Sequence, residues 1–218
     1  MFQFPEQTVV NRVLPKNKIY EKARPPKAVR DLFVSEVEQI VWRHKLAPDT
    51  LRIEPADGVL EIQVFEIVIR PNELSRRILE TIDRAIPYPV FFRLTREKAV
   101  QHALAFKRPA LDGSGQWVVG EYFRSIWMSP EPQLQPMPMV LNLKTLYDKM
   151  LTACIGYEPR KGETIESLVE RDALIRQTRR TLDRLERRLR AEKQFNRKVE
   201  INAEIRTLRA VLTGLQKP

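Results

Sequence analysis

The sequence has one cysteine, two histidines and seven glycines in 218 residues, and each scarcity excludes something. With Cys154 alone, no disulfide can close within the chain, which points to a reduced intracellular setting and a buried thiol. A cysteine nucleophile needs a base beside it, and nothing in the sequence brings His44 or His102 close to Cys154. There is no Walker loop, dinucleotide fingerprint, HExxH, zinc spacing or GxSxG, so no cofactor is implied. No stretch approaches the roughly 18 to 20 apolar residues of a membrane span. The opening "MFQFPEQTVV" lacks the basic start and long apolar run of a signal peptide. The expectation is a soluble, cytoplasmic protein that does not meet a membrane.

What is present is positive charge, unevenly placed. The net charge is +10, and the apolar fraction of 43% is enough to build a core. Residues 1 to 34 carry seven Lys/Arg against three acids, residues 35 to 160 sixteen against sixteen, and residues 161 to 218 fifteen against nine. A neutral centre between two basic ends suggests a globular middle whose flanks meet a polyanion, though charge of this kind also serves solubility alone.

The first 27 residues hold Pro5, Pro15, Pro25 and Pro26 and read as an extended segment, with a helical turn or two after Pro15. "KAVRDLFVSEVEQIVWRHKLAP" then repeats Val29, Phe33, Val37, Ile40 and His44 at helical spacing, which predicts one helix ending before Pro48. From Leu51 the period becomes two. "LRIE" and "LEIQVFEIVIR" read as strands, the second interrupted at Phe65-Glu66 by a bulge or by cover on both faces. Pro71-Asn72 opens a helix over "NELSRRILETIDRAI", and "YPVFFRLTRE", "AVQHALAFKR" and "QWVVGEYFRSIWM" give three more strands, with "PALDGSG" as a turn. After the proline-rich "SPEPQLQPMPM" comes a short helix, "LNLKTLYDKMLTACIG", and "YEPRKGE" marks a domain boundary. The fold class is therefore α+β. A mostly antiparallel sheet of about five strands with packed helices fills residues 1–157, and a basic helical arm, hairpin or coiled coil, fills residues 164–215.

Thr164 is placed to cap the arm, and no Gly or Pro falls between Glu163 and Thr213. Leu168, Ile175, Leu182 and Leu189 form a seam seven residues apart, and Ile201, Ile205, Leu208, Leu212 and Leu215 form another. The phase breaks at "EKQFNRK". A stutter in one long helix would satisfy this, and such a helix needs a partner such as a second copy. A hairpin turning at Gln194-Phe195-Asn196 would bury both seams within the chain, with Asn196 as cap and Phe195 packing back across the turn; the hairpin is the favoured form.

Before the break, eleven cations face four acids between Arg171 and Lys198. Arg176, Arg179, Arg180, Arg184, Arg187, Arg188, Arg190, Lys193, Arg197 and Lys198 are candidate contacts to a nucleic-acid backbone or an acidic partner surface, because the guanidinium fork suits phosphate. Lys16 and Lys18 are a second candidate cationic point near a helix start. No aromatic residues interleave with these arginines, so base stacking is not supported. Trp42, Trp117 and Trp127 read as core or core-edge residues.

One catalytic alternative exists. Pro48-Asp49 followed by Glu61-Ile62-Gln63 resembles the acid, then acid-x-Lys/Gln, arrangement of metal-dependent nucleases of the PD-(D/E)xK type, with Lys45 or Lys107 as the missing cation. The plainer reading is a loop starter and the polar face of a strand.

"LPKNKIYEKA", "LFVSEVEQIVWRHKLAPDT", "EIQVFEI", "AIPYPVFF", "WVVGEYFRSIW" and "EKQFNRKVEINAEIRTL" resemble a prokaryotic family of unknown function nearly end to end. Members of that family end in a basic helical arm, and their genes often lie beside helicase and DNA methyltransferase genes in defence-type regions. The resemblance implies a non-catalytic accessory subunit of a DNA-handling or antiphage complex, docked on a larger partner of a helicase or methyltransferase system. It supplies no catalytic residues, and the Asp49 position is not aspartate throughout that family.

Overall fold

The computed structural model describes residues 2–70, 73–109, 117–129 and 135–217. The chain divides into two compact units, Met1–Gly156 and Tyr157–Pro218, so the division falls at the start of "YEPRKGE".

The first unit is α+β. A two-residue strand β1 (Phe2–Gln3) leads through a 3-10 turn to β2 (Val9–Val13), α1 (Lys16–Ala23) and α2 (Lys27–Glu36). Then come β3 (Val37–Leu46), the single-turn helix α3 (Pro48–Leu51), β4 (Ile62–Ile69), α4 (Arg76–Ala85), β5 (Val90–Arg96), β6 (Ala99–Pro109), β7 (Trp117–Arg124), β8 (Gln135–Pro136) and α5 (Leu143–Ile155). Strands β2 to β7 form one six-stranded sheet in sequence order, while β1 pairs with β8. All pairs in the large sheet are antiparallel except β4 with β5, which α4 connects. A parallel neighbour needs such a crossover.

Several expectations change here. The helical turns expected after Pro15 are present as α1, but the segment before them holds the edge strand β2, and the sheet has six strands where about five were expected. The single helix expected from Lys27 to before Pro48 becomes α2 followed directly by β3. Val37, Ile40, Val41 and Leu46 are buried, and β3 pairs along its two edges with β2 and β4, with the β3–β4 register shifting between Val37 and Gln39 and again between Trp42 and His44. Each such irregularity breaks the period-two alternation that would identify a strand. "LRIE" is not a strand: α3 ends at Leu51 and Arg52 turns with positive φ. "PALDGSG", Pro71-Asn72 and residues 130–134 of the proline-rich connector lie outside the described residues.

The remaining elements follow from the pattern. The β4 strand is almost entirely buried, Gln63 and Glu66 included. The Ser75 side chain caps α4, and Gly156, with φ of 79°, ends α5 in a left-handed turn that glycine adopts at no steric cost. The main core joins Phe33, Phe65, Ile67, Ile78, Ile82, Phe92 and Leu94, so α2 and α4 cover one face of the sheet. Trp42 stacks on Phe65 at 6.3 Å, and the Arg96 guanidinium lies 4.1 Å from the Trp127 ring centre. The register of β6 against β7 shifts between Ala105 and Lys107. There the Tyr147 hydroxyl of α5 donates to the Ala105 carbonyl and accepts from the Lys107 N–H, meeting backbone groups that the bulge frees.

The second unit is a helical hairpin. Helix α6 (Ile165–Ala191) begins at Thr164, whose side chain accepts from the Ser167 N–H, and α7 (Phe195–Gln216) packs against it. Leu182 and Leu185 of α6 and Ile201 and Ile205 of α7 form a buried cluster, flanked by Leu189, Leu208 and Leu212. The Arg171 guanidinium bonds the Leu215 carbonyl at 2.9 Å, which brings the end of α7 back to the start of α6. Both apolar seams meet within one chain. Two details of the turn differ from expectation. Gln194 precedes the first residue of α7 and Asn196 lies inside the helix, while Phe195 is 77% exposed and does not pack across the turn.

Candidate nucleic-acid interface

At 100° per residue, Arg180, Arg184, Arg187 and Arg188 fall within an arc about 100° wide on α6, opposite Leu182, Leu185 and Leu189. Because the leucines meet α7, the arginines face away from it. All four are exposed, as are Arg190, Lys193 and Arg197, and Lys198 is half-buried. None of these eight is in an ion pair among the described residues.

The acids that could neutralise this ridge are engaged elsewhere. Asp172 pairs with Arg176 at 2.6 Å, and Glu186 reaches across the hairpin to Arg209 at 2.7 Å. The Glu192 carboxylate accepts the N–H groups of Lys193 and Gln194 in the turn. Those backbone bonds hold its pKa below the ordinary carboxylate value. Asp183 alone stays exposed near the ridge. The cations at the start of α6 are structural. Arg171 is buried, holding Glu163 through two nitrogens and the Glu158 carbonyl. Arg176 has its Asp172 partner, and the Arg179 guanidinium lies over the Tyr157 ring at 6.0 Å. The sequence-level set from Arg176 to Lys198 thus divides into two groups: Arg176 and Arg179 are engaged, and the free ridge starts at Arg180.

Lys16 and Lys18 do not form one cationic point. The Lys16 ammonium donates to the carbonyls of Phe33 and Val37 at 2.7 and 2.6 Å, closing the C-terminal end of α2. Burial, with Arg70 nearby, lowers its pKa. Lys18 is exposed and pairs with Glu21.

The four residues of the nuclease alternative do come together. Lys45 stands opposite Gln63 in the β3–β4 register. Its ammonium is 3.0 Å from Asp49 and 3.6 Å from Glu61, and the Gln63 amide donates to Glu61 at 2.8 Å. The Asp49 bond raises the Lys45 pKa, with Glu61 adding to it against desolvation. Asp49 and Glu61 thus share one ammonium, and among the described residues no group of three or more His, Cys, Asp or Glu could hold a metal ion. Lys107 is elsewhere, buried against Asp83. Desolvation pushes the Cys154 thiol up to about 12, which leaves it a poor nucleophile.

A polar row that sequence reading missed crosses the sheet. Arg43 of β3 and Arg93 of β5 both bond Glu66 of β4, at 2.7 and 3.0 Å, and Arg93 lies opposite His102 of β6. Glu66 interrupting an apolar strand was the available signal. Its partners could be found only from the register.

Among known proteins, a family model described as a domain of unknown function (DUF4391) matches residues 2–212. No curated protein and no solved structure matches the chain.

Proposed function

The chain belongs to this DUF4391 family, and we propose that it is a non-catalytic accessory subunit of a DNA-handling or antiphage complex whose arm holds the nucleic-acid backbone. One observation carries the reading. The hairpin buries its own seam and turns a run of arginines outward, with every nearby carboxylate except Asp183 already engaged. Arginines in this state make phosphate contacts that tolerate any base sequence. A larger partner of the helicase or methyltransferase type belongs to the same proposal and rests on the family resemblance. The hairpin brings its two seams together within one chain, so the arm does not need a second copy to bury them.

The test is binding of labelled double- and single-stranded DNA across a salt series with Mg²⁺ present, followed by a denaturing gel. Reversing Arg184, Arg187 and Arg188 to glutamate is expected to cut affinity at low salt at least about a hundredfold. It should also reduce the slope of log K against log salt by about 3 for duplex DNA. Stability should change by no more than about 0.5 kcal/mol, since none of the three touches a partner. Unchanged binding removes the ridge from the proposal. The same gel addresses catalysis: the DNA is expected to stay intact with wild type and with Glu61→Ala alike. Cleavage by wild type that Glu61→Ala abolishes would instead establish the nuclease alternative.

A further inference from the structure

A cavity of about 190 Å³ opens on the first unit between the α1–α2 junction and the exposed face of α4. Pro25 and Val29, both buried, are part of its wall. Three arginines line it: Arg24 at the end of α1, and Arg77 and Arg84, two helical turns apart on α4. All three are exposed, and none has a carboxylate partner among the described residues. The one acid in the lining, Glu80, is bonded at 2.8 Å by Arg76, which also holds Glu121. Adjacent arginines on α4 therefore differ in kind: Arg76 is spent on the fold and Arg77 is not. Pro26, at the N-cap of α2, also lines the cavity, and no side chain caps that helix start. The positive end of the α2 dipole adds to three unneutralised guanidiniums.

We propose that this cavity binds a phosphate monoester. Size and charge both select it. Pockets that enclose a whole small ligand run to roughly 300–1,000 Å³, so about 190 Å³ takes one phosphoryl group with its nearest substituent and leaves a base outside. A dianion with three terminal oxygens can meet three guanidiniums, whereas a carboxylate offers two oxygens and one charge. The monoester can come from the end of a nucleic-acid strand or from a free nucleotide. The site lies on the first unit and does not rest on the arm.

The experiment uses the full chain carrying the Arg184, Arg187 and Arg188 reversals, so that binding by the ridge does not mask the cavity. Probes are a 5′-phosphorylated oligonucleotide, the same strand with a 5′ hydroxyl, a nucleoside monophosphate, and inorganic phosphate against chloride at equal ionic strength. The expected result is a preference for the phosphorylated strand of at least about tenfold, lost in Arg77→Ala/Arg84→Ala. A second variant separates binding from folding. Arg24 has φ of 46°, a left-handed backbone that glycine adopts freely, so Arg24→Gly should weaken phosphate binding while leaving Tm unchanged or raised. Equal affinity for the phosphorylated strand and the monophosphate assigns the cavity to the free nucleotide; much tighter strand binding assigns it to strand ends. No preference for the phosphorylated strand together with no phosphate-specific stabilisation overturns the proposal, and so does a preference that survives in both cavity variants.

Discussion

Asp83→Ala should lower the stability of the first unit by about 3–5 kcal/mol, the range for removing one partner of a buried ion pair. Asp83 of α4 and Lys107 of β6 are both almost wholly out of water, with side chains 0% and 1% exposed, and their charged atoms are 2.5 Å apart. The Tyr122 hydroxyl of β7 donates to the other carboxylate oxygen, so one helix and two strands converge on a single carboxylate. Burial pushes the Asp83 carboxyl above its ordinary pKa, with Lys107 and Tyr122 pulling the other way, and the same burial pushes the Tyr122 hydroxyl up. Without Asp83, the Lys107 ammonium keeps the Tyr88 carbonyl at 3.0 Å and no counter-charge. Asp83→Asn with Lys107→Met should recover much of the loss, because the amide still accepts from Tyr122 and no charge stays buried. Urea unfolding followed by tryptophan fluorescence reports this unit alone, since Trp42, Trp117 and Trp127 all lie in it. A single variant within about 1 kcal/mol of wild type would mean that the pair is not a keystone of the fold.

This pair also shows where sequence legibility stops. Asp83 reads as one more acid in a helical stretch of alternating charge, and Lys107 as the basic end of a strand. Their meeting depends on how α4 packs on the sheet face that Ala103, Ala105 and Lys107 share, which neither element's own pattern announces. Elsewhere the pattern was sufficient: α4, α5, β5, β6 and β7 stand close to where spacing put them. It failed at β3, where two register shifts break the alternation and Val29, Phe33, Val37, Ile40 and His44 continue a helical count by coincidence. The arm was legible because it is nearly a single-chain problem: two seams, a phase break and a surplus of arginine define a hairpin with a basic back. The convergence of Lys45, Asp49, Glu61 and Gln63 was legible as a possibility. What their contacts amount to required the position of the Lys45 ammonium between the two acids. The cavity residues Arg24, Arg77 and Arg84 lie on two segments about fifty residues apart, and only the packing of α1 on α4 joins them.

The polar row leads to the second large effect, a loss of stability as pH falls from about 6.5. His102 is 4% exposed, stacked nearly parallel on Phe91 at 5.4 Å, with its Nε2 buried and without a hydrogen-bond partner. Desolvation, with the neighbouring Arg93 guanidinium adding to it, lowers its pKa from 6.5 to about 3. In the unfolded chain the ring gains its proton near 6.5, and in the folded chain only near 3. Between those values the unfolded state holds more protons. The neutral ring's contribution is therefore complete above about 6.5 and is lost progressively toward 3, at up to about 1.4 kcal/mol per pH unit. Between pH 6.5 and 5, where most carboxylates remain ionised, the loss should reach about 2 kcal/mol. Half-buried His44 is shifted the same way, by desolvation first and then Arg43 and Arg93, so part of any slope is its own. His102→Phe separates the two, keeping an aromatic ring against Phe91 and removing the titrating nitrogen. Its urea midpoint should fall less than that of wild type over this window. Parallel midpoint curves would show that the ring protonates in place, and would assign the acid sensitivity to His44 instead. If the curves diverge, the row keeps its charge constant across the physiological range, because two guanidiniums share one carboxylate and the histidine beside them stays neutral.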